Sequence, residues 1–299
     1  MQAPLRPRVF AGPAELGRAL AEEIADGIAK ASAVGRRYVL GCPGGRSPKP
    51  VYDALAELVG ERGLHLGHVV IAMMDEYVLP TGGPAEAAAA ADTVDAGGTT
   101  GSVASVASVG SVGSGAFVDV DHAAHNSCHR FAAEEIVGPL NAAAGEGRGI
   151  PADAVWFPHP SDPAAYDGRL AEAGGVDLFI LASGASDGHI AFNPPGAPED
   201  STSRIVELAD STRQDNMGTF PDFASLDEVP RHGVTVGVAT IVRQSRRAVM
   251  VVHGGHKREA VRRLAAATAY EADWPATLVA LCREPALYVD RAAAGEEFA

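Results

Sequence analysis

Cysteine, aromatic residues and positive charge are all scarce in this chain of 299 residues. Its three cysteines, Cys42, Cys128 and Cys282, are far apart and form no CxxC pair, which argues against a disulfide framework and against a zinc site. Aromatic residues make up only 6%, and 38 acidic residues face 24 basic ones, so no nucleic-acid-binding surface is expected. The formal net charge of -14 also disfavours contact with anionic membranes.

Long apolar segments are missing as well. The first residues, MQAPLRPRVFAGPAELG, lack the apolar stretch of a signal peptide, and no continuous apolar run is long enough to span a bilayer. We therefore expect a cytoplasmic protein with no membrane partner, in a reducing compartment. A hydrophobic content of 46% is ordinary for globular proteins, and we expect one catalytic domain over residues 1–299.

Apolar runs alternate with helical patterns along most of the chain. Leu16, Leu20 and Ile24 recur at helical spacing in residues 13–31, and two further helices are predicted at 50–59 and 258–267. Short buried strands are predicted at residues 37–41, 69–74, 176–182, 248–252, 278–282 and 286–289. This alternation is typical of a doubly wound α/β fold, with a mainly parallel sheet and helices on both faces.

Residues 85–118 interrupt this order. They consist mostly of Ala, Gly, Ser, Thr and Val, with SVASVASVGSVGSG at the centre, and we interpret them as a flexible low-complexity insertion in a loop. An active-site lid is the alternative. The stretch HAAHNSCHRF, residues 122–131, flanks the end of the insertion, and its polar side chains could contact a substrate or belong to a helix start.

Four polar segments come directly after predicted strands, where ligands bind in open α/β sheets. The turn GCPGGRSP contains Gly44, Gly45, Arg46 and Ser47, which could cradle an anion before a helix or form only a tight turn. The segment GGHK adds Lys257, as a phosphate-binding charge or as an ordinary surface lysine.

The other two segments carry acid–base chemistry. Asp75 and Glu76 follow a buried strand, where burial raises a carboxylate pKa towards the range of a general base; a helix cap or a solvated turn is the structural alternative. Asp187 lies two residues before His189 in a loop, and a carboxylate at that distance can orient an imidazole for proton transfer.

Five motifs in this order resemble the glucosamine-6-phosphate deaminase family, which is itself similar to 6-phosphogluconolactonases. They run from residue 38 to residue 257 and are YVLGCPGGRSPKPVYDAL, MDEYV, DGHIAFN, TVGVATI and GGHK. The resemblance implies an aldose–ketose isomerisation of an amino-sugar phosphate with loss of ammonia, no metal or organic cofactor, and a homo-oligomer. It implies that Asp75 moves a proton between C2 and C1, and that His189, oriented by Asp187, assists ring opening. The Gly-rich turn and Lys257 would then hold the phosphate.

The chain departs from the family pattern at three positions. Pro194 stands where a Glu normally supports the ring-opening histidine, and Gly218 stands where the family usually has a phosphate-binding Arg. Arg46 stands where the family has a small residue, so it is a candidate for the missing cation. Further candidate site residues are Glu76, Asn193, Glu199, which could replace the lost Glu, and Arg213.

Two alternative functions stay open on the sequence alone. A 6-phosphogluconolactonase-like lactone hydrolase would share the Gly-rich turn and the DGH element and would need no Glu after Asn193. A non-catalytic sugar-phosphate sensor would account for the lost Glu and Arg. The products separate the three functions. A deaminase gives ammonia and a ketose, a lactonase gives a free acid, and a sensor gives no product.

Overall fold

The computed structural model describes residues 4–81 and 117–298. Its strands, in chain order, are β1 Pro7–Phe10, β2 Tyr38–Cys42, β3 Val69–Met73, β4 Asp75–Pro80, β5 Phe117–Asp119, β6 Val155–Trp156, β7 Leu178–Ala182, β8 Arg204–Glu207, β9 His232–Thr235, β10 Ala248–Val252 and β11 Pro285–Asp290. Its α-helices are α1 Pro13–Ala33, α2 Lys49–Arg62, α3 Cys128–Phe131, α4 Gly138–Ala144, α5 Pro163–Glu172, α6 Asp210–Thr219, α7 Val238–Gln244, α8 Arg258–Ala266 and α9 Arg291–Phe298.

A parallel sheet forms the centre of the molecule. Within the described residues it has seven strands in the order β1-β11-β10-β7-β2-β3-β6. Neighbouring residues of one strand enter opposite cores: Val39 and Phe179 pack on one face, and Leu40 and Ile180 on the other. Burial on both faces explains why these strands are apolar without alternation, and the prediction of a doubly wound α/β fold is confirmed.

Helix α1 shows how the sequence determines one of the covering layers. It begins at Pro13, whose fixed φ suits a first helical position. Leu16, Leu20, Ile24 and Ile28 are fully or almost fully buried in the same core as α2 and the sheet. In the part of the chain that the structure describes, no helix has the length and apolarity needed to cross a membrane.

A second, antiparallel sheet lies at the end of β3 and was not predicted. Its order is β5-β4-β9-β8. The first sheet ends at Met73 on β3, and Asp75 already pairs with Thr235 in the second sheet. Only Met74 separates the two sheets, so the predicted strand 69–74 is one residue too long, and Asp75 lies at their junction.

Other boundaries also need correction. The strand predicted at residues 278–282 is wrong, because Pro275–Leu281 forms a 3-10 helix. Strand β1 was missed. Most of the predicted insertion 85–118 lies outside the described residues, but its last two residues belong to β5, which pairs with β4.

Candidate active site

A cavity of about 310 Å³ opens at the carboxyl ends of β2, β3, β7 and β10. The described residues that line it are Pro43, Gly44, Gly45, Arg46, Ser47, Asp75, Cys128, Ala182, Ser183, Gly184, Ala185, His189, Ala191, Phe192, Asp215, Asn216, Thr219, Phe220, His253, His256 and Lys257. All four polar segments singled out in the sequence therefore contribute to one site.

One end of the cavity is cationic. The Nζ atom of Lys257 donates hydrogen bonds to Ser47 Oγ at 2.9 Å and to the carbonyl oxygen of Ser183 at 2.8 Å. Burial lowers the pKa of Lys257 to about 8, with Asp215 opposing and Arg46 adding to the decrease. Lys257 is thus anchored, half-buried and still charged at neutral pH, which is the state needed to attract an anion.

Arg46 adds a second cation, and its position depends on a missing side chain. The guanidinium lies over Gly218 of α6: a Cβ built on Gly218 would be 2.8 Å from Nη2 of Arg46 and 3.1 Å from Cζ. Any side chain at position 218 would therefore compete with the guanidinium for this space. The position of Arg46 is therefore coupled to the absence of a side chain at Gly218.

Asp75 is the buried carboxylate of the cavity, with 5% of its surface exposed. Burial raises its pKa to about 7; a hydrogen bond from the Cys128 thiol at 3.5 Å opposes the increase, and the nearby Glu76 adds to it. A carboxylate with this pKa is partly ionised at neutral pH and has the basicity of a general base.

Glu76, the neighbour of Asp75, has a structural environment. It is completely buried and accepts hydrogen bonds from Tyr77 N, Ser127 Oγ, Cys128 N and His129 N. These donors include the first amides of α3, so Glu76 caps that helix. Glu76 does not line the cavity, and the helix-cap interpretation applies to it rather than to Asp75.

His189 lines the cavity, and Asp187, which is not among the lining residues, is hydrogen-bonded to it. Nδ1 of His189 lies 2.7 Å from Oδ1 of Asp187, and the backbone amide of His189 donates to the same oxygen at 3.1 Å. The other oxygen accepts from the hydroxyls of Ser211 and Thr212 on α6. Burial alone would raise the pKa of Asp187, but these hydrogen bonds hold it below its ordinary value. The imidazole is thereby fixed in one orientation.

Three further candidates lie outside the cavity lining. Asn193 is fully buried and bonds two backbone carbonyls and Arg204, so it holds its own loop. Arg213 is 2% exposed, and its guanidinium donates hydrogen bonds to the carbonyl oxygens of Val229 and Leu226 and to Asp210. Glu199 is exposed and borders a different depression, so it does not replace the Glu missing at Pro194.

Helix α6 supplies lining residues that the sequence analysis did not identify. Asp215, Asn216 and Thr219 face the cavity, and Phe220 follows them at the helix end. Our sequence criterion selected polar residues directly after predicted strands, and β8, which ends shortly before α6, was not among those predictions. An acidic side chain at the position of Asp215, three residues before Gly218, was the available signal.

The histidines of HAAHNSCHRF lie outside the cavity. Among the described residues, two groups of side chains present ligand atoms within 4.8 Å of one another. One is Asp187, His189 and Asp215 in the cavity region, and the other is Asp119, His122 and His129. The rings of His122 and His129 are stacked 3.6 Å apart with an interplanar angle of 9°. Their nitrogen lone pairs therefore lie in parallel planes and do not converge on one ion.

No protein-family model matches the chain. Comparison with known proteins finds several relatives that are all named glucosamine-6-phosphate deaminase. A glucosamine-6-phosphate deaminase of Beutenbergia cavernae is 33% identical over 256 residues, which cover 86% of this chain and 80% of the relative. One from Arthrobacter sp. is 31% identical over 225 residues, 75% of this chain and 68% of the relative. One from Mycolicibacterium smegmatis is 42% identical over 135 residues, 45% of this chain and only 50% of the relative.

Two solved structures share the fold. A monomeric glucosamine-6-phosphate deaminase superposes with a TM-score of 0.74 at 23% identity, covering 99% of this chain and 100% of that one. The 6-phosphogluconolactonase of Thermotoga maritima gives 0.58 at 16% identity, covering 95% and 99%. Because the Beutenbergia match combines 33% identity with most of both chains, this chain belongs to the glucosamine-6-phosphate deaminase family.

Proposed function

We propose that this protein converts an amino-sugar 6-phosphate, with glucosamine 6-phosphate as the first candidate, into a ketose phosphate and ammonia. The observation that carries the proposal is the buried carboxylate of Asp75, with a pKa of about 7, in one cavity with Lys257 and Arg46. This combination supplies a base for carbon acid chemistry next to cations for a phosphate.

The phosphate binds at the cationic end. The chain carries a net charge of -14 and would repel a phosphate dianion at long range, so local positive groups have to reverse the field. Lys257 supplies a half-buried ammonium, Arg46 a guanidinium that can bind two phosphate oxygens, and Ser47 a hydroxyl. The backbone of Gly44 and Gly45, just before α2, allows the phosphate to approach closely.

His189 opens the sugar ring. Its Nδ1 is held by Asp187, which leaves Nε2 as the nitrogen that delivers a proton to the ring oxygen. As the ring oxygen takes this proton, its bond to C1 breaks and the C1 hydroxyl gives up its proton to water, so that the cyclic sugar becomes an open-chain aldehyde with an amino group at C2.

Asp75 then carries out the isomerisation. Its ionised form takes the proton from C2 and returns it to C1. The ammonium group on C2 gives up one proton and the aldehyde oxygen gains one, so that C2 becomes an iminium carbon. Water adds to C2, the C2–N bond breaks, and ammonia leaves with the ketose phosphate. One water is consumed, and no electrons are exchanged with an external acceptor.

Proton NMR in D₂O tests this proposal directly. We expect purified protein and glucosamine 6-phosphate to give fructose 6-phosphate and ammonium in equal amounts, with deuterium incorporated at C1. Asp75→Asn should abolish both conversion and exchange. Asp227→Asn, which removes an exposed carboxylate that does not line the cavity, is the matched control and should retain activity.

Other outcomes would replace the proposal. If glucosamine 6-phosphate neither reacts nor exchanges, the deaminase assignment is wrong for this substrate. A free acid formed from 6-phosphogluconolactone would then identify a lactonase. A sugar phosphate that raises the melting temperature without turnover would identify a sensor.

We also propose that the chain is one catalytic domain and forms a homo-oligomer, although its structural neighbour with a TM-score of 0.74 is described as monomeric. Light scattering should give a multiple of 30.7 kDa, and thermal unfolding a single transition. A scattering mass of one chain would contradict the oligomer.

A further inference from the structure

Asp215 is the one acidic residue of the cavity lining, within the described residues, that neither the motif comparison nor the proposed mechanism uses. It belongs to α6, four residues after Ser211. Residues four apart lie on the same face of a helix, and Ser211 donates its hydroxyl to Asp187 at 2.5 Å. The face of α6 that contacts Asp187 therefore also directs Asp215 towards the same pair.

The geometry brings Asp215 close to His189. One imidazole nitrogen of His189 and one carboxylate oxygen each of Asp187 and Asp215 lie within 4.8 Å of one another. Asp187 already accepts four hydrogen bonds, two on each oxygen. In residues 4–81 and 117–298, by contrast, no residue is found hydrogen-bonded or salt-bridged to the Asp215 carboxylate. The charge of Asp215 also acts on Lys257, but no hydrogen bond within these residues holds its carboxylate, so it can respond to a charge that develops on the imidazole.

The loop after His189 offers no carboxylate of its own. Pro194 has no side-chain acceptor, Asn193 is engaged in holding the loop backbone, and Glu199 borders another depression. A second carboxylate beside an imidazole favours the protonated ring and limits its rotation. Asp75 on β4 also interacts electrostatically with His189, but the proposed mechanism uses Asp75 as the base at C2. Asp215 is the carboxylate that helix α6 supplies to His189 and that has no other assigned task.

We propose that Asp215 is a positioning residue for His189, and that it takes over from helix α6 the role of the carboxylate absent at Pro194. The proposal rests on the proposed function, because it assigns His189 to ring opening. Asp187 holds one side of the imidazole, and Asp215 stabilises the charge that the imidazole carries before it donates its proton.

The first test follows His189 itself and needs no substrate. Protein labelled with ¹⁵N-histidine is titrated by NMR, with the His189 signals assigned through His189→Gln. We expect Asp215→Asn to shift the His189 titration to lower pH by roughly one unit, whereas Asp227→Asn leaves it unchanged. An unchanged curve in Asp215→Asn would overturn the proposal. The other charged or titratable residues that line the cavity are Arg46, Asp75, Cys128, His253, His256 and Lys257, and Asp187 contacts His189 from behind the lining.

The second test uses turnover. Asp215→Asn should lower kcat with glucosamine 6-phosphate by about tenfold to a hundredfold, with KM changed less than about threefold. Binding of 2-amino-2-deoxyglucitol 6-phosphate, an open-chain analogue that needs no ring opening, should stay the same by calorimetry. A raised KM with an unchanged kcat would mean that Asp215 binds the substrate instead, and would overturn the positioning role.

The two tests separate the inference from the function on which it rests. If wild-type protein does not turn over glucosamine 6-phosphate but the His189 titration still shifts in Asp215→Asn, the proposed function fails and the coupling of Asp215 to His189 stands. If turnover occurs and neither kcat nor the titration responds, only the inference fails.

Discussion

Gly184 lies directly against the imidazole of His189. A Cβ built on Gly184 would be 2.3 Å from Nδ1 of His189 and 2.4 Å from Oδ1 of Asp187, well inside van der Waals contact. The hydrogen bond between the two side chains thus occupies the space that a side chain at position 184 would need. The glycine after β7 is required by the acid–base pair and not only by the turn.

Gly184→Ala should therefore separate Asp187 from His189. We expect kcat to fall by about a hundredfold, because the imidazole loses its orienting partner, and stability to fall by about 1–3 kcal/mol from overpacking. Steady-state kinetics and urea unfolding measure the two effects. Gly168→Ala is the control, since its new Cβ meets no atom within 4 Å. Equal kcat values for the two variants would contradict the prediction.

Gly218→Ala tests the coupling between α6 and the Gly-rich turn. The added methyl group should displace the Arg46 guanidinium and raise KM for a phosphorylated substrate about tenfold, the loss expected for one charged hydrogen bond. An unphosphorylated amino sugar should be affected much less. Alanine favours a helix over glycine, so a loss of fold is not expected to obscure the result.

A double variant that exchanges the residues at positions 46 and 218 tests the same coupling. Placing Gly at position 46 and Arg at position 218 restores the arrangement that the motif comparison assigns to the family. Arg46→Gly alone should raise KM for the phosphorylated substrate, and the double variant should lower it again towards the wild-type value. If it does not, the guanidinium at Arg46 does not substitute for a cation from α6.

The pH dependence follows from Asp75 and Lys257. The base form of Asp75 is present above its pKa of about 7, so kcat/KM should fall about tenfold per pH unit below that value. Lys257 is charged below its pKa of about 8, so KM for the phosphorylated substrate should rise above pH 8. Initial rates from pH 5.5 to 9.5 measure both limbs. A flat profile across pH 6 to 8 would exclude Asp75 as the base.

Asp75 also makes stability depend on pH. Its pKa is about 7 in the folded protein against 3.8 for the ordinary group, so the folded state prefers the neutral carboxyl. The associated stability is complete below about pH 4 and is lost as pH rises through 7. Asp75→Asn should therefore raise the free energy of unfolding at pH 8 by on the order of 2–4 kcal/mol and change it little near pH 4.

Urea unfolding of wild type and Asp75→Asn at both pH values checks this prediction. A gain of the same size at pH 4 and pH 8 would show that the effect is not electrostatic. An activity-abolishing substitution that stabilises the fold is the expected trade-off for a buried catalytic carboxylate.

The sequence predicted the central sheet because strands such as β7 and β10 are apolar on both faces and stand out as continuous runs. It did not predict the antiparallel sheet. Strands β8 and β9 are four residues each and are separated by α6, so neither a long apolar run nor a hairpin turn marks their pairing. Register between distant segments depends on packing that no local pattern encodes.

The same limit applies to the site. Asp75, Asp187, His189 and Lys257 follow strands, so the topology of a parallel sheet predicts that they meet. The contribution of Asp215 depends on how α6 crosses the opening, and the structural role of Arg213 depends on which carbonyls its guanidinium meets. Both roles depend on tertiary structure, and residue type alone did not show that Asp215 lines the cavity and that Arg213 does not.

The hairpin formed by β4 and β5 has a practical consequence. Pro80 and Phe117 are paired across it, so the chain leaves and re-enters the second sheet at neighbouring points. The entropic cost of closing a loop grows only with the logarithm of its length, about 0.6 kcal/mol per doubling. The connection between Pro80 and Phe117 is therefore a suitable site for protein engineering. A short turn or a whole reporter domain could join the two strands there while their pairing is kept.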